Sequence, residues 1–271
     1  MIRQPAVAGQ FYPGSEQALR RELQKFVPQI DKKRSVIGVI SPHAGYIYSG
    51  KTAGQLLAGI EIPRTVIILG PNHHGRGALA ALSPEDGWQT PLGYVPIEKR
   101  LAAMIRQQLP VVQEDSIAHA LEHSLEVQVP FLQYLRPDVT IVPLCLAFGD
   151  YDGCELLGRG LASAISAFGE PVLILSSSDM THYESAEAAK KKDTLALERA
   201  LALDPQGLVE VCRARRITMC GVIPSAVMLV AAKQLGATQA ALVAYTTSGE
   251  VTGDMREVVA YAAVTVWQQS H

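Results

Sequence analysis

The residues best suited to chemistry in this chain are its histidines, seven in 271 residues. Three apolar runs lead into them within a few positions. "SVIGVI" (35–40) runs into "SPHAG" with His43, and "TVIILG" (65–70) into "PNHHG" with His73 and His74. "PVLILSS" (171–177) runs into "SDMTHY" with Asp179 and His182. Imidazole is the commonest metal ligand and the side chain best matched to proton transfer near neutral pH. Histidines that follow separate strands can converge on one centre, so the pattern points to a metal or acid–base site. Adjacent side chains of an extended segment point to opposite sides, so His73 and His74 are not expected to hold one ion together.

A metal needs a further donor, and the sequence offers Asp179, Glu122, Glu126 and Cys220. Cys220, in "TMCGVIPSA", stands just before an apolar helix expected over 222–235. Free N–H groups and the dipole at a helix start favour a thiolate, the form that binds metals. "EHSLEVQVPF" (122–131) sets Glu122 and Glu126 four residues apart beside His123. On a helix the two carboxylates would share a face and could orient ligand histidines.

The elements that must position these groups read as alternating strands and helices. Strands are expected at 35–40, 65–70, 78–83, 139–146, 171–177, 241–248 and 258–267. Helices are expected after Ser15, at 51–60, 96–109, 118–135 and 153–168, and over most of 184–236. "PEDGWQTPLG" (84–93) reads as turns. Near-continuous Val, Ile and Leu strands imply burial on both faces. The expectation is an α/β fold with one domain over residues 1–271, a mixed central sheet flanked by helices on both faces. Ligands of such sheets gather at the carboxyl ends of the strands, where the histidines fall.

Composition narrows the function classes. Net charge is −2, with charged residues at 18%, and lysine and arginine form no long cluster. A nucleic-acid or membrane-surface footprint is therefore not expected. The longest apolar stretch, 219–232, is interrupted by Gly and Pro and is shorter than a span of ~20 residues. The first fifteen residues hold no signal-like apolar run, so a cytoplasmic protein is expected. Four cysteines without CxxC spacing argue against a zinc ribbon or thioredoxin-type site.

Several blocks together carry a resemblance. "AGQFYPG", "SPHAGYIYSG", "LGPNHH", "EHSLEVQVPF", "SSSDMTHY", "TMCGVIP" and "SGEVTGDMREVVAYAA" resemble the signature blocks of the Memo family, known in prokaryotes as AmmeMemoRadiSam system protein B. The match runs almost end to end. The resemblance implies a fold similar to class III extradiol ring-opening dioxygenases, whose Fe(II) is held by two histidines and a glutamate. It implies His43 and His73 as metal ligands, with Cys220 where the glutamate would stand. It implies His182 as the acid–base residue, with Asp179 orienting it, and His123 as another catalytic pocket histidine. His74, Glu122, Glu126 and Tyr46 are expected around them as pocket or supporting residues. A thiolate in place of a carboxylate softens the site and adds an oxidisable ligand. The expectation is one transition-metal ion, iron or copper, with zinc as a further option, and a redox or oxygen-related role. AMMECR-type and radical-SAM proteins, or a small-molecule or peptide ligand, are the expected partners. The alternatives are a non-enzymatic partner-binding module, its cleft lined by Tyr46, Tyr48, Phe11 and Trp88, and a zinc hydrolase.

Overall fold

The computed structural model describes residues 1–269, so the terminal His271 lies outside it. The first half runs β1 (Ile2–Arg3), α1 (Glu16–Phe26), β2 (Gly38–Ser41), α2 (Tyr46–Ala58), β3 (Thr65–Pro71), β4 (Ala80–Leu82), β5 (Gly87–Thr90), β6 (Gly93–Pro96), α3 (Lys99–Gln108), β7 (Gln113–Glu114) and α4 (Ser116–His119). A 3₁₀ turn (Glu126–Gln128) then leads into α5 (Val129–Leu135), β8 (Thr140–Leu146), α6 (Tyr151–Phe168), β9 (Val172–Ser177) and β10 (His182–Glu184). The chain closes with α7 (Ala186–Leu201), α8 (Pro205–Arg215), α9 (Val222–Gln234), β11 (Gln239–Thr247), α10 (Gly249–Thr252) and β12 (Val258–Trp267).

Nine strands form a mixed sheet in the order β10-β12-β2-β9-β3-β8-β4-β7, with β11 added along β12. Its centre is parallel, β2 on β9, β9 on β3 and β3 on β8, while β12 and β4 join antiparallel. Every residue of β2, β3 and β8 is buried. Helices on both faces account for that burial: α9 packs on β2, β3 and β9 with α6 and α8 behind it, and α2 packs on β2, β11 and β12 with α1 and α5 behind it. Each Val, Ile or Leu taken out of water this way contributes ~1.5–3 kcal/mol. The α/β architecture is therefore as the apolar runs predict. No helix among the described residues is long and apolar enough to cross a membrane.

Three expectations need correction. The segment 118–135 is not one helix: α4 stops at His119, residues 120–125 are irregular, and α5 starts at Val129. The cause is a distant one. Arg3 Nε donates to the His119 carbonyl and Arg3 Nη2 to the Glu122 carbonyl, both at 2.8 Å, taking acceptors a continuing helix would need. The stretch 84–93 holds more than turns, because β5 and β6 pair as a hairpin and β1 joins β5 to make a small three-stranded sheet. Glu184, the first residue of the stretch 184–236 expected to be mostly helical, instead ends the short strand β10, which pairs with β12.

Candidate functional site

The sheet order places β9 between β2 and β3, so the three loops leaving these parallel strands meet at one carboxyl edge. They carry His43, His73 and Asp179. Two tight approaches seat further groups there. A Cβ on Gly221 would lie 2.4 Å from the Ser177 carbonyl oxygen and from the Ser178 Cβ, so only glycine lets the chain after Cys220 touch the end of β9. A Cβ on Gly70 would lie 2.6–2.7 Å from Leu125 and Ser124, so the irregular 120–125 segment lies directly on β3.

His43 is buried, and its hydrogen bonds assign its tautomer. Ser177 Oγ spends its own hydrogen on the Ser124 carbonyl (2.6 Å) and accepts from Gln128 Nε2 (2.8 Å). His43 Nδ1, 2.9 Å from the same oxygen, must therefore donate to it. That leaves the lone pair of Nε2 free. Burial, then the neighbouring His73 and His123 rings, holds the imidazole well below its usual pKa.

His73 is fixed from the other side. Its backbone N–H donates to Glu122 Oε2 (2.6 Å) and its ring Nδ1 to Glu122 Oε1 (2.9 Å). The Ser124 N–H adds a third bond to Oε1 at 2.8 Å. Burial pushes the Glu122 carboxyl up, but the His73 ring and these N–H groups outweigh it, so Glu122 stays far below the usual carboxylate range. A carboxylate–histidine pair of this kind fixes the ring and raises its basicity as a ligand. His73 Nε2 is free like that of His43.

His123 completes the arrangement. Its ring stacks on His73 (centroids 4.6 Å, planes 20° apart) and packs against Phe11 at 4.5 Å. Burial brings its pKa down to about 4. One nitrogen from each of His43, His73 and His123 lies within 4.8 Å of the others. Cys220 Sγ is 3.2 Å from His43 Nε2 and accepts from the Asp179 N–H at 3.3 Å. The S–H has the Asp179 carbonyl as acceptor at 3.6 Å, and burial pushes the thiol well above its usual range. The helix-start stabilisation expected for a Cys220 thiolate is thus outweighed by desolvation while the site carries its protons.

His182 lines the same cavity of about 540 Å³. Its Nδ1 lies 3.0 Å from the Thr218 carbonyl, which can only accept, so Nδ1 carries the proton and Nε2 is the basic atom. No hydrogen bond joins Asp179 to it among the described residues. Asp179 Oδ1 accepts from the His43 N–H at 2.7 Å, and the Ala44 N–H bonds the same carboxyl, so the aspartate shapes the loop that carries His43. Burial nonetheless raises this carboxyl to about 7.

The family model described as "Memo-like protein" matches residues 3–265. The chain belongs to the Memo family. It is 42% identical to a MEMO1 family protein of Methanosarcina barkeri over 267 residues, 98% of this chain and 100% of that protein. A MEMO1 family protein of Aquifex aeolicus is 42% identical over 263 residues, 96% of this chain and 97% of that one. One of Methanopyrus kandleri is 40% identical, covering 97% and 98%. A solved structure, an uncharacterized protein JW3007 from Escherichia coli K12, matches with TM-score 0.55 at 14% identity over 84% of this chain and 98% of that one. That likeness is one of fold.

The remaining expected site residues of this Memo-family chain separate into two groups. Phe11 and Tyr48 line the cavity. Tyr46 does not: it is buried, donates to the Val127 carbonyl at 2.7 Å and packs on Tyr12 and Phe131. Trp88 is buried against Arg3 and His119. His74 is exposed, with Nε2 3.1 Å from the Leu121 carbonyl. Glu126 bonds no histidine. It takes Arg3 Nη1 (2.7 Å), the N–H groups of Ala6 and Val7 (2.8 and 3.0 Å) and the Tyr12 hydroxyl (2.6 Å). With α4 broken, Glu122 and Glu126 share no helix face; one serves the site and the other fastens the N-terminal segment that carries Phe11. Ser177, the last residue of β9, and Gln128, in the turn before α5, set the His43 tautomer, and neither is among the site residues expected from the sequence.

Proposed function

We propose that the protein binds a single transition-metal ion at this site and serves a redox or oxygen-related role. The observation that carries the reading is the matched pair of tautomers. His43 and His73 each spend Nδ1–H on a built partner and turn a free Nε2 to the common space, as metal-bound imidazoles do. Metal binding requires neutral imidazole, and His43 and His123 are both held neutral at physiological pH.

The donor set fits a borderline-to-soft ion. His43, His73 and His123 supply nitrogens, and Cys220 supplies the sulfur beside His43. The two carboxylates closest to these residues, Glu122 and Asp179, are committed to N–H groups. A set of two histidines and a carboxylate, as in ring-opening dioxygenases, is therefore not what these residues build. Nitrogen and thiolate donors suit copper and iron, and also zinc. When bound, the metal would supply a redox centre and Lewis acidity. The chain's own part is to hold the rings, exclude water on the strand side, and move a proton at His182 Nε2.

The test is metal analysis of tag-free protein together with cobalt substitution. Wild type is expected to load one ion and show a thiolate-to-cobalt charge-transfer band. Cys220→Ser should lose that band, and His43→Ala with His73→Ala should lose the metal. Full loading retained by the double histidine variant would sink the reading.

A further inference from the structure

We propose that the mouth of this cavity selects an organic cation, a protonated amine carried on an apolar or aromatic body. The inference rests on reading the cavity as the working site, and goes on to name the class of ligand. Its walls differ. Histidines line one part of it, and Phe11, Tyr48, Tyr261 and Val259 supply apolar and aromatic lining. Among the described residues no lysine or arginine lines it. Two carboxylates do, Asp179 and Glu257. Asp179 is buried and committed to backbone N–H groups. Glu257 is exposed at the rim, and no ion pair to it forms among the described residues. Its neighbour Arg256 is held by Asp254 at 2.6 and 3.0 Å.

A second, independent observation concerns Tyr183, which also lines the cavity. β10 pairs with β12 through His182 opposite Val259 and Glu184 opposite Val258, so Tyr183 between them is an irregularity in the ladder. Its φ is +59°, a left-handed conformation that is unfavourable for a bulky side chain. Bulges beside active sites re-aim side chains. Here the re-aimed ring is 77% exposed, yet it lines the cavity. An exposed tyrosine kept in a strained conformation gains nothing from burial, which points to use of its face. Tyr183 and Tyr48 offer aromatic faces and Glu257 a negative charge, the combination that attracts an ammonium group. Among the described residues that line the cavity, an anionic ligand would find no lysine or arginine, and Arg256 beside Glu257 is already paired with Asp254.

The experiment uses three isosteric probes, phenethylamine, phenethyl alcohol and phenylacetate, titrated into the full chain as purified and after chelator treatment. In chelator-treated protein the amine should bind roughly 3- to 30-fold more tightly than the alcohol, the size of one exposed cation–π contact and one exposed ion pair. Phenylacetate should bind most weakly. Glu257→Gln should reduce the preference for the amine to its cation–π part while leaving alcohol binding unchanged. Tyr183→Gly should weaken the amine without lowering Tm, since glycine relieves the left-handed strain. Both variants should bind metal like wild type. If the chain holds no metal but the amine preference stands, only the metal reading falls. Phenylacetate binding as tightly as the amine, or an amine preference undiminished in Glu257→Gln, would overturn the proposal.

Discussion

Glu122→Gln gives the sharpest test of how the site is built. The carboxylate accepts three short hydrogen bonds, from His73 N–H (2.6 Å), His73 Nδ1–H (2.9 Å) and Ser124 N–H (2.8 Å). Glutamine preserves the shape but replaces one oxygen by an NH₂ that can only donate. With its oxygen toward the ring and Ser124, its NH₂ faces the His73 backbone N–H. Reversed, it faces the ring Nδ1–H and forces His73 into the other tautomer, which protonates the ligating nitrogen. Either way the loss falls on His73 as a metal ligand. Replacing a partner of this kind weakens metal binding ~10- to 100-fold, or about 1.4–2.7 kcal/mol. Isothermal titration with zinc or cobalt measures the affinity directly. Thermal unfolding measures it by linkage, because stabilisation by saturating metal falls by the same free energy. Glu126→Gln is the control. It is equally buried and four residues on, but its oxygens meet Arg3, Ala6, Val7 and Tyr12. It should cost ~3–5 kcal/mol of stability, as expected for a broken buried pair, and leave metal affinity within a factor of two or three. Unchanged affinity in Glu122→Gln, or an equal loss in both variants, would refute the reasoning.

Two further outcomes follow from the same structure. His119 is buried and donates Nε2–H to the Ala81 carbonyl at 2.9 Å, while its Nδ1 has no partner among the described residues. Burial lowers its pKa to about 4, so between there and the unfolded value near 6.5 the unfolded chain binds the extra proton. Stability from this residue is complete above that unfolded value and is lost as pH falls toward 4, roughly 3 kcal/mol in all. Urea unfolding of wild type and His119→Gln should show their difference shrinking by about that amount from pH 7.5 to pH 4; a constant difference would show that His119 does not titrate as its burial requires. In Gly221→Ala the new Cβ would meet Ser177 and Ser178 at 2.4 Å. The variant should lose ~1–3 kcal/mol in denaturant and the cobalt–thiolate band together, because the segment that moves carries Cys220; an intact band would show that Cys220 is placed by other contacts.

What the sequence disclosed and what it hid divide by the range of the interactions involved. His43, His73 and His182 were legible because each follows an apolar run, and the carboxyl end of a buried parallel strand is where such a sheet can hold a ligand. The adjacency of β2, β9 and β3 then made the first two neighbours in space. Tyr46 and Tyr48 were not separable in the same way. The expected start of α2 at residue 51 left both in a loop, whereas the helix begins at Tyr46 and turns that ring to the core while Tyr48 reaches the cavity. The different fates of Glu122 and Glu126 depended on Arg3, more than a hundred residues away, and no local window contains that contact. Yet one local signal argued against the single helix from which both were read. Pro130 stands inside 118–135, and proline is tolerated in the first turn of a helix but not in its interior. In the structure it is the second residue of α5. A helix starting there leaves residues 120–125 free of helical geometry, so Glu122 can reach His73 while Glu126, in the turn before α5, reaches the N-terminal segment. The proline therefore separates the two carboxylates, with Arg3 fixing where each one goes.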